Sequence, residues 1–192
     1  WGGDGSGGNG SPIALDFDGN GIRFTDHTVN VDFGGGNGAQ SYAWIEAPDG
    51  FLAYDGNGNG KIDVAAEISF VRYKPGARTD LEGLGAFDTN EDGVLDGADS
   101  VDGGFQFNRL RVWRDQDEDG IADAGEVISM EEAGLEAIAL PDTEPGAGIA
   151  VGKATYYGAT TVIKADGTTI LAADLAFKPA ASGGQVNPGA DL

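Results

Sequence analysis

The chain has 192 residues, 34 of them glycine, and its 32 acidic side chains against 11 basic ones give a formal net charge of -21. That balance excludes a phosphate-backbone partner, so nucleic acid binding is set aside, and the absence of cysteine removes disulfides, thiolate metal sites and a cysteine nucleophile. So much glycine raises the entropy lost on folding, and clustered carboxylates repel one another, so a compact state calls for counterions, and divalent cations would serve.

No apolar run approaches the roughly 20 residues of a membrane span, so membrane insertion is not expected, and the N-terminus lacks a signal-peptide pattern. Residues 1–11 are glycine-rich and polar and read as a flexible linker. From Pro12 the character changes: Ile13, Leu15 and Phe17 alternate with small or acidic residues, which predicts a short strand running into a metal loop. An EF-hand calcium loop takes side-chain oxygens at positions 1, 3 and 5, glycine at 6 for a sharp turn, a backbone carbonyl at 7, a ligand at 9 and a bidentate carboxylate at 12. Asp16, Asp18 and Asn20 fill 1, 3 and 5, Gly21 fills 6, and Ile22 offers its carbonyl. Position 12 is His27, which a hard cation disfavours, so the last ligand must come from elsewhere, with Asp26 and Asp32 the candidates.

Residues 44–47 and 51–54 flank Pro48-Asp49-Gly50, turn chemistry that predicts a hairpin whose second arm delivers Asp55. Asp55, Asn57, Asn59, Gly60, the carbonyl of Lys61 and Asp63 then repeat the layout, with Glu67 one residue beyond the usual closing position. Two asparagines lower the ligand charge, so this loop is expected to bind more weakly. Thr79 and Glu82 form a capping-box pattern ahead of Leu81, Leu84 and Phe87 at helical spacing, predicting a short helix. It enters a third loop with Asp88, Asn90, Asp92, Gly93, Val94, Asp96 and Asp99 at positions 1, 3, 5, 6, 7, 9 and 12, closed by the shorter aspartate.

A strand at 110–113, with Leu110 and Val112 inward and Arg109 and Arg111 outward, leads into the fourth loop. There Asp115, Asp117, Asp119, Gly120, Ile121, Asp123 and Glu126 fill every position. A merely acidic surface loop would not require the glycine, the apolar neighbour and the terminal carboxylate together. Beyond it, Ser129 and Glu132 predict a helix of about two turns ending near Gly134. A strand at 135–140, a loop at 141–148 and strands at 150–157, 160–164 and 168–171 follow, the last two joined as a hairpin. Residues 179–192 read as a second linker, leaving 12–178 as one domain. Short helices, strands and irregular chain rather than paired helices surround the loops. The expected fold is therefore a small irregular α+β domain built around four EF-hand-like loops that hold about four calcium ions.

Five stretches, taken in order, carry a resemblance that spans most of residues 12–177: PIALDFDGNGI from Pro12, DGFLAYDGNGNGKIDVAAE from Asp49, DTNEDGVLDGAD from Asp88, LRVWRDQDEDG from Leu110 with the EEAGL that follows, and ADGTT from Ala165. Together they resemble the self-processing module of FrpC-like iron-regulated RTX proteins. The resemblance implies a calcium-dependent, monomeric module flanked by neighbouring domains of a larger polypeptide, secreted by a type I route or held at the cell surface. It also implies calcium-triggered cleavage of an Asp-Pro bond just ahead of the module, after which the freed aspartyl group joins a lysine amine of another chain. At that place this chain has Ser11 before Pro12, and no Asp-Pro pair occurs anywhere in it. The expected role is a calcium-binding structural module of a secreted RTX-like protein or adhesin that folds on binding calcium, with self-processing the alternative.

Overall fold

A computed structural model gives the fold and describes residues 12–33, 38–63, 65–141 and 148–180. Ser11, the expected linker at 1–11 and all but the first two residues of the one at 179–192 lie outside the described residues. The architecture is mainly β, which overturns the α+β expectation: among the described residues the one α-helix is the five-residue α1 (Asp80–Leu84). The strands are β1 (Ile13–Leu15), β2 (Phe24–Val31), β3 (Gln40–Ile45), β4 (Gly50–Tyr54), β5 (Val94–Leu95), β6 (Leu110–Trp113), β7 (Val127–Ser129), β8 (Leu135–Ala139), β9 (Ile149–Val151), β10 (Ala154–Lys164) and β11 (Thr169–Phe177). Nine of them form one antiparallel sheet in the order β5-β8-β10-β11-β1-β4-β6-β7, with β9 added to β10, while β2 and β3 pair separately.

Strand periodicity explains why this sheet is covered on both faces. Ile13 and Leu15 of β1, Leu52 and Tyr54 of β4, and Leu110 and Val112 of β6 point into one core, closed by Phe70, Leu81, Leu84, Phe87 and Phe105. Ala14, Phe51, Ala53 and Trp113 point the other way, into a core shared with Trp44 and Tyr42 of β3 and Phe177 of β11. Trp44 sits at the centre of that second core, in edge contact with Phe51 at 4.9 Å and Trp113 at 5.6 Å between ring centres. Strands buried on both sides read as continuous apolar runs, which do not by themselves announce a sheet.

Several local expectations change accordingly. Residues 44–47 and 51–54 are not two arms of a hairpin. β3 pairs with β2, whereas β4 pairs with β1 and β6, so the turn at 46–49 passes the chain from one sheet to the other. The Ser129–Glu132 capping box is present as hydrogen bonds, yet the chain turns at 130–134 and no helix forms. The Thr79–Glu82 box does start α1. That helix sits so close to the preceding segment that a Cβ on Gly83 would come within 2.1 Å of the Phe70 carbonyl oxygen. The hairpin through 165–167 forms as expected, joining the two longest strands.

At the start of α1 two carboxyls are fully buried. Asp80 Oδ1 accepts from the Phe70 and Val71 amides and the Ser69 hydroxyl, and Asp174 Oδ2 accepts from the Leu81 amide. Their other oxygens, Asp80 Oδ2 and Asp174 Oδ1, have no partner. Burial foremost, and then the Asp174 charge, pushes Asp80 well above the usual carboxylate range, and burial pushes Asp174 up to about 6. Both groups hold protons more tightly folded than unfolded, so their contribution is fully present below about pH 4 and is lost as pH rises. For Asp174 the loss is on the order of 2 to 3 kcal/mol by about pH 6. Asp174→Asn keeps an oxygen for the Leu81 amide and cannot ionise, so its urea midpoint should fall less than that of the natural chain between pH 4 and 7. Equal slopes would refute this account.

Candidate metal centre

Each acidic loop comes just after a buried element: the first directly follows β1 and the second β4, the fourth lies one residue beyond β6, and the third starts three residues beyond the end of α1, after Phe87. The first ligand position therefore starts inside the protein. Asp16, Asp55 and Asp115 are 6%, 1% and 4% exposed, whereas the residues at positions 3 and 5 of every loop are exposed. The loops share one internal pattern of hydrogen bonds. The first aspartate accepts the glycine amide at position 6 through Oδ2 in all four: Gly21 to Asp16, Gly60 to Asp55, Gly93 to Asp88 and Gly120 to Asp115, at 2.7 to 3.1 Å. These glycines have φ between 75° and 86°, a left-handed conformation costly for other residues. Position 5 turns its side-chain oxygen back to the amide of position 7 in three loops, through Asn59, Asp92 and Asp119, with Lys61, Val94 and Ile121 as donors.

The closing carboxylates are buried as well. Glu126 Oε1 accepts the Gln116 amide and Oε2 the Asp123 amide, so it spans the fourth loop from position 2 to position 9. Asp99 does the same in the third loop, from Thr89 and Asp96, and a 3₁₀ turn over Gly97–Asp99 compensates for its shorter side chain. Glu67, delivered by a 3₁₀ turn over Ala65–Glu67, accepts from Asp63 and from the Asn57 side chain, which accommodates the extra residue in the second loop.

The first loop is closed by a residue that the spacing did not reveal. Neither Asp26 nor Asp32 joins it. Asp49 does: its carboxylate lies with those of Asp16 and Asp18, all within 4.8 Å of one another, and Asp49 Oδ1 accepts the Phe17 amide at 2.9 Å, the same position-2 donor that Glu126 and Asp99 take. The register explains the placement, because Leu15 of β1 faces Gly50 of β4 and so the residue before Gly50 stands beside Asp16. Only the sheet pairing carries that signal. Comparable carboxylate groups form at Asp115, Asp117 and Glu126, and at Asp117, Asp119 and Asp123. Among the described residues, loops two and three show no such tight three-carboxylate group.

Electrostatics separates the loops. Burial foremost, with the charges of Asp16 and Asp18, pushes Asp49 up to about 6, and burial with the Glu126 charge raises Asp115. Both sites concentrate negative charge that a cation would offset. Loop two has its own cation: Arg111 was expected to point outward, but it is half-buried with Nη2 3.6 Å from Asp55 Oδ2, and Arg109 donates to the Gly56 carbonyl. All donors are hard oxygens from carboxylates, amides and carbonyls, a set that fits calcium or magnesium and does not suit soft or tetrahedral metals.

Among the described residues no helix is long and apolar enough to cross a membrane. The family model for the SPM domain matches residues 13–178. The chain is also 33% identical over 175 residues to the iron-regulated protein FrpA of Neisseria meningitidis serogroup C. That alignment covers 85% of this chain and 15% of FrpA, so the chain spans a small part of that relative's length. With a match across nearly the whole sheet and all four loops, the chain belongs to the SPM domain family.

Proposed function

We propose that the domain is a calcium-binding structural module held together by cations in its four acidic loops. The observation that carries this reading is the repeated closing geometry. Where the loop's own twelfth residue, His27, cannot serve, a buried carboxylate from the turn before β4 takes the same place on the position-2 amide. Calcium is preferred over magnesium because a shell of six or seven oxygens, with one bidentate carboxylate, is the calcium arrangement. At calcium tenfold above the dissociation constant each site contributes about 1.4 kcal/mol, and four together between roughly 5 and 6 kcal/mol, comparable with the whole stability of a domain. A place within a longer, secreted RTX-like or adhesin polypeptide, between neighbouring domains, is part of the same proposal.

Cleavage ahead of Pro12 is not part of it. That chemistry needs an aspartate whose carboxylate attacks its own carbonyl while proline leaves, and Ser11 supplies no such group. Adding millimolar calcium to chelated protein should raise the β signal in circular dichroism and the melting temperature, with the intact mass unchanged. Identical spectra and melting with and without calcium would end the reading, and a new N-terminus at Pro12 would restore self-processing. Calorimetry on Asp49→Ala should show one bound calcium fewer than the natural chain, while Asp26→Ala and Asp32→Ala keep the full number. Loop two is expected to fill last because Arg111 already neutralises part of Asp55. Arg111→Met should bring the Gly60 amide response in a calcium titration to several-fold lower calcium, and an unmoved midpoint would show that the guanidinium does not compete.

A further inference from the structure

Loops one and four leave the sheet at the same end, because β1 and β6 both run antiparallel to β4. The turn that feeds β4 lies between them and touches both. From the fourth-loop side, Asp115 Oδ2 accepts the Trp44 indole N–H at 2.5 Å, and Glu118, at position 4 of that loop, accepts the Ala47 amide through Oε1 at 3.0 Å. Arg114, just before the loop, donates Nε to the Pro48 carbonyl and lays its guanidinium over the Phe17 ring of the first loop at 4.9 Å. From the first-loop side, Asp49 holds the Phe17 amide. One segment, residues 44–49, thus carries the closing ligand of loop one while it is pinned by three groups in or beside loop four.

We infer that the 44–49 segment couples the two sites, and that Glu118 is a positioning residue that places Asp49 for loop one without itself being a ligand of either. The inference rests on the calcium reading above and concerns its regulation. Glu118 sits at φ 58°, a strained conformation for a non-glycine residue, which the loop-four turn holds in place. Ordering that turn around a cation fixes the acceptor for Ala47, two residues before Asp49. Conversely, a cation drawing in Asp49 fixes Ala47 and presents it to Glu118. The effect is reciprocal, as any equilibrium coupling between two sites must be.

Amide NMR during a calcium titration reads the loops separately through Gly21 and Gly120. In the natural chain both should respond over one calcium range with a Hill coefficient above 1. In Glu118→Ala the cooperativity should disappear and both midpoints should rise, by about 5-fold or more. Glu118→Gln keeps an oxygen for the Ala47 amide and should restore the behaviour. Asp49→Ala, which disables loop one, should by itself raise the Gly120 midpoint by a similar factor. Adding Glu118→Ala to it should change nothing further. A residue that merely stabilised loop four would instead raise that midpoint again in the double variant, and this result would overturn the coupling, as would unchanged midpoints in Asp49→Ala. If Glu118→Ala does not fold, the Gln and Asp49→Ala variants still decide the question. If neither glycine responds to calcium in the natural chain, the calcium reading itself fails and takes the coupling with it.

Discussion

The constraint on which the rest depends is repulsion among carboxylates at the ends of doubly covered strands. β1, β4, β6 and β7 cannot pair without bringing Asp16, Asp49, Asp115 and Glu126 to one end of the sheet, and all four are nearly buried there. Two unit charges about 4 Å apart repel by about 4 kcal/mol at an effective dielectric of 20. The apolar gain from packing Trp44, Phe51, Trp113 and Phe177 pulls the strands together, and the acids at their ends resist it. Backbone amides relieve part of that resistance: each first aspartate receives the glycine amide at position 6, and each closing carboxylate at least one amide. Amide dipoles lower the energy of each anion separately, but they leave the charges beside one another in place. On the proposed reading a divalent cation does what they cannot.

The chain handles buried acids in two ways, and their positions decide which. Asp80 and Asp174 are buried where α1 meets β11, each with one oxygen that finds no donor, so both keep their protons to higher pH than an exposed carboxyl does. The loop acids have exposed partners at positions 3 and 5 and open toward solvent, where hydrated ions can reach them. Acid therefore acts in opposite directions on the two sets. It favours the buried pair and competes with any cation in the loops, so net stability against pH reflects both.

What could be read in the sequence was whatever depends on short spacing. The left-handed glycine turns, the cap of α1 and the hairpin at 165–167 follow from residues within a few positions of one another, and each stands where expected. The fold class did not follow, because two-faced strands and buried helices share the same apolar runs, and because the Ser129–Glu132 pair can satisfy its hydrogen bonds in a turn as well as in a helix. Asp49 was hidden for a different reason. Its turn chemistry was visible and was read as a hairpin tip, but its partner lies 33 residues earlier, through the β1–β4 register, and no local pattern encodes that. Alternation puts Arg111 on the outer face of β6, where it is expected to counterbalance nearby carboxylates; it does so against Asp55, the residue after β4, but half-buried rather than solvated, because β4 lies alongside.

That difference between local and remote closure has a consequence for how folding and binding are linked. Loops two, three and four carry all their proposed side-chain ligands within a dozen or so residues, so on that reading a nearly unfolded segment could gather around an ion at modest cost in loop-closure entropy. Loop one cannot, since Asp16 and Asp49 meet only after β1 has paired with β4. On the proposed reading a cation there would distinguish the paired sheet from every looser arrangement, and its binding energy would go wholly to the native state, whereas part of the energy of the other three would also stabilise partly ordered chains. Of the four, the site least evident in the sequence is thus the one that bears most directly on the fold's uniqueness. It sits where β1, the first strand described, meets the middle of the sheet.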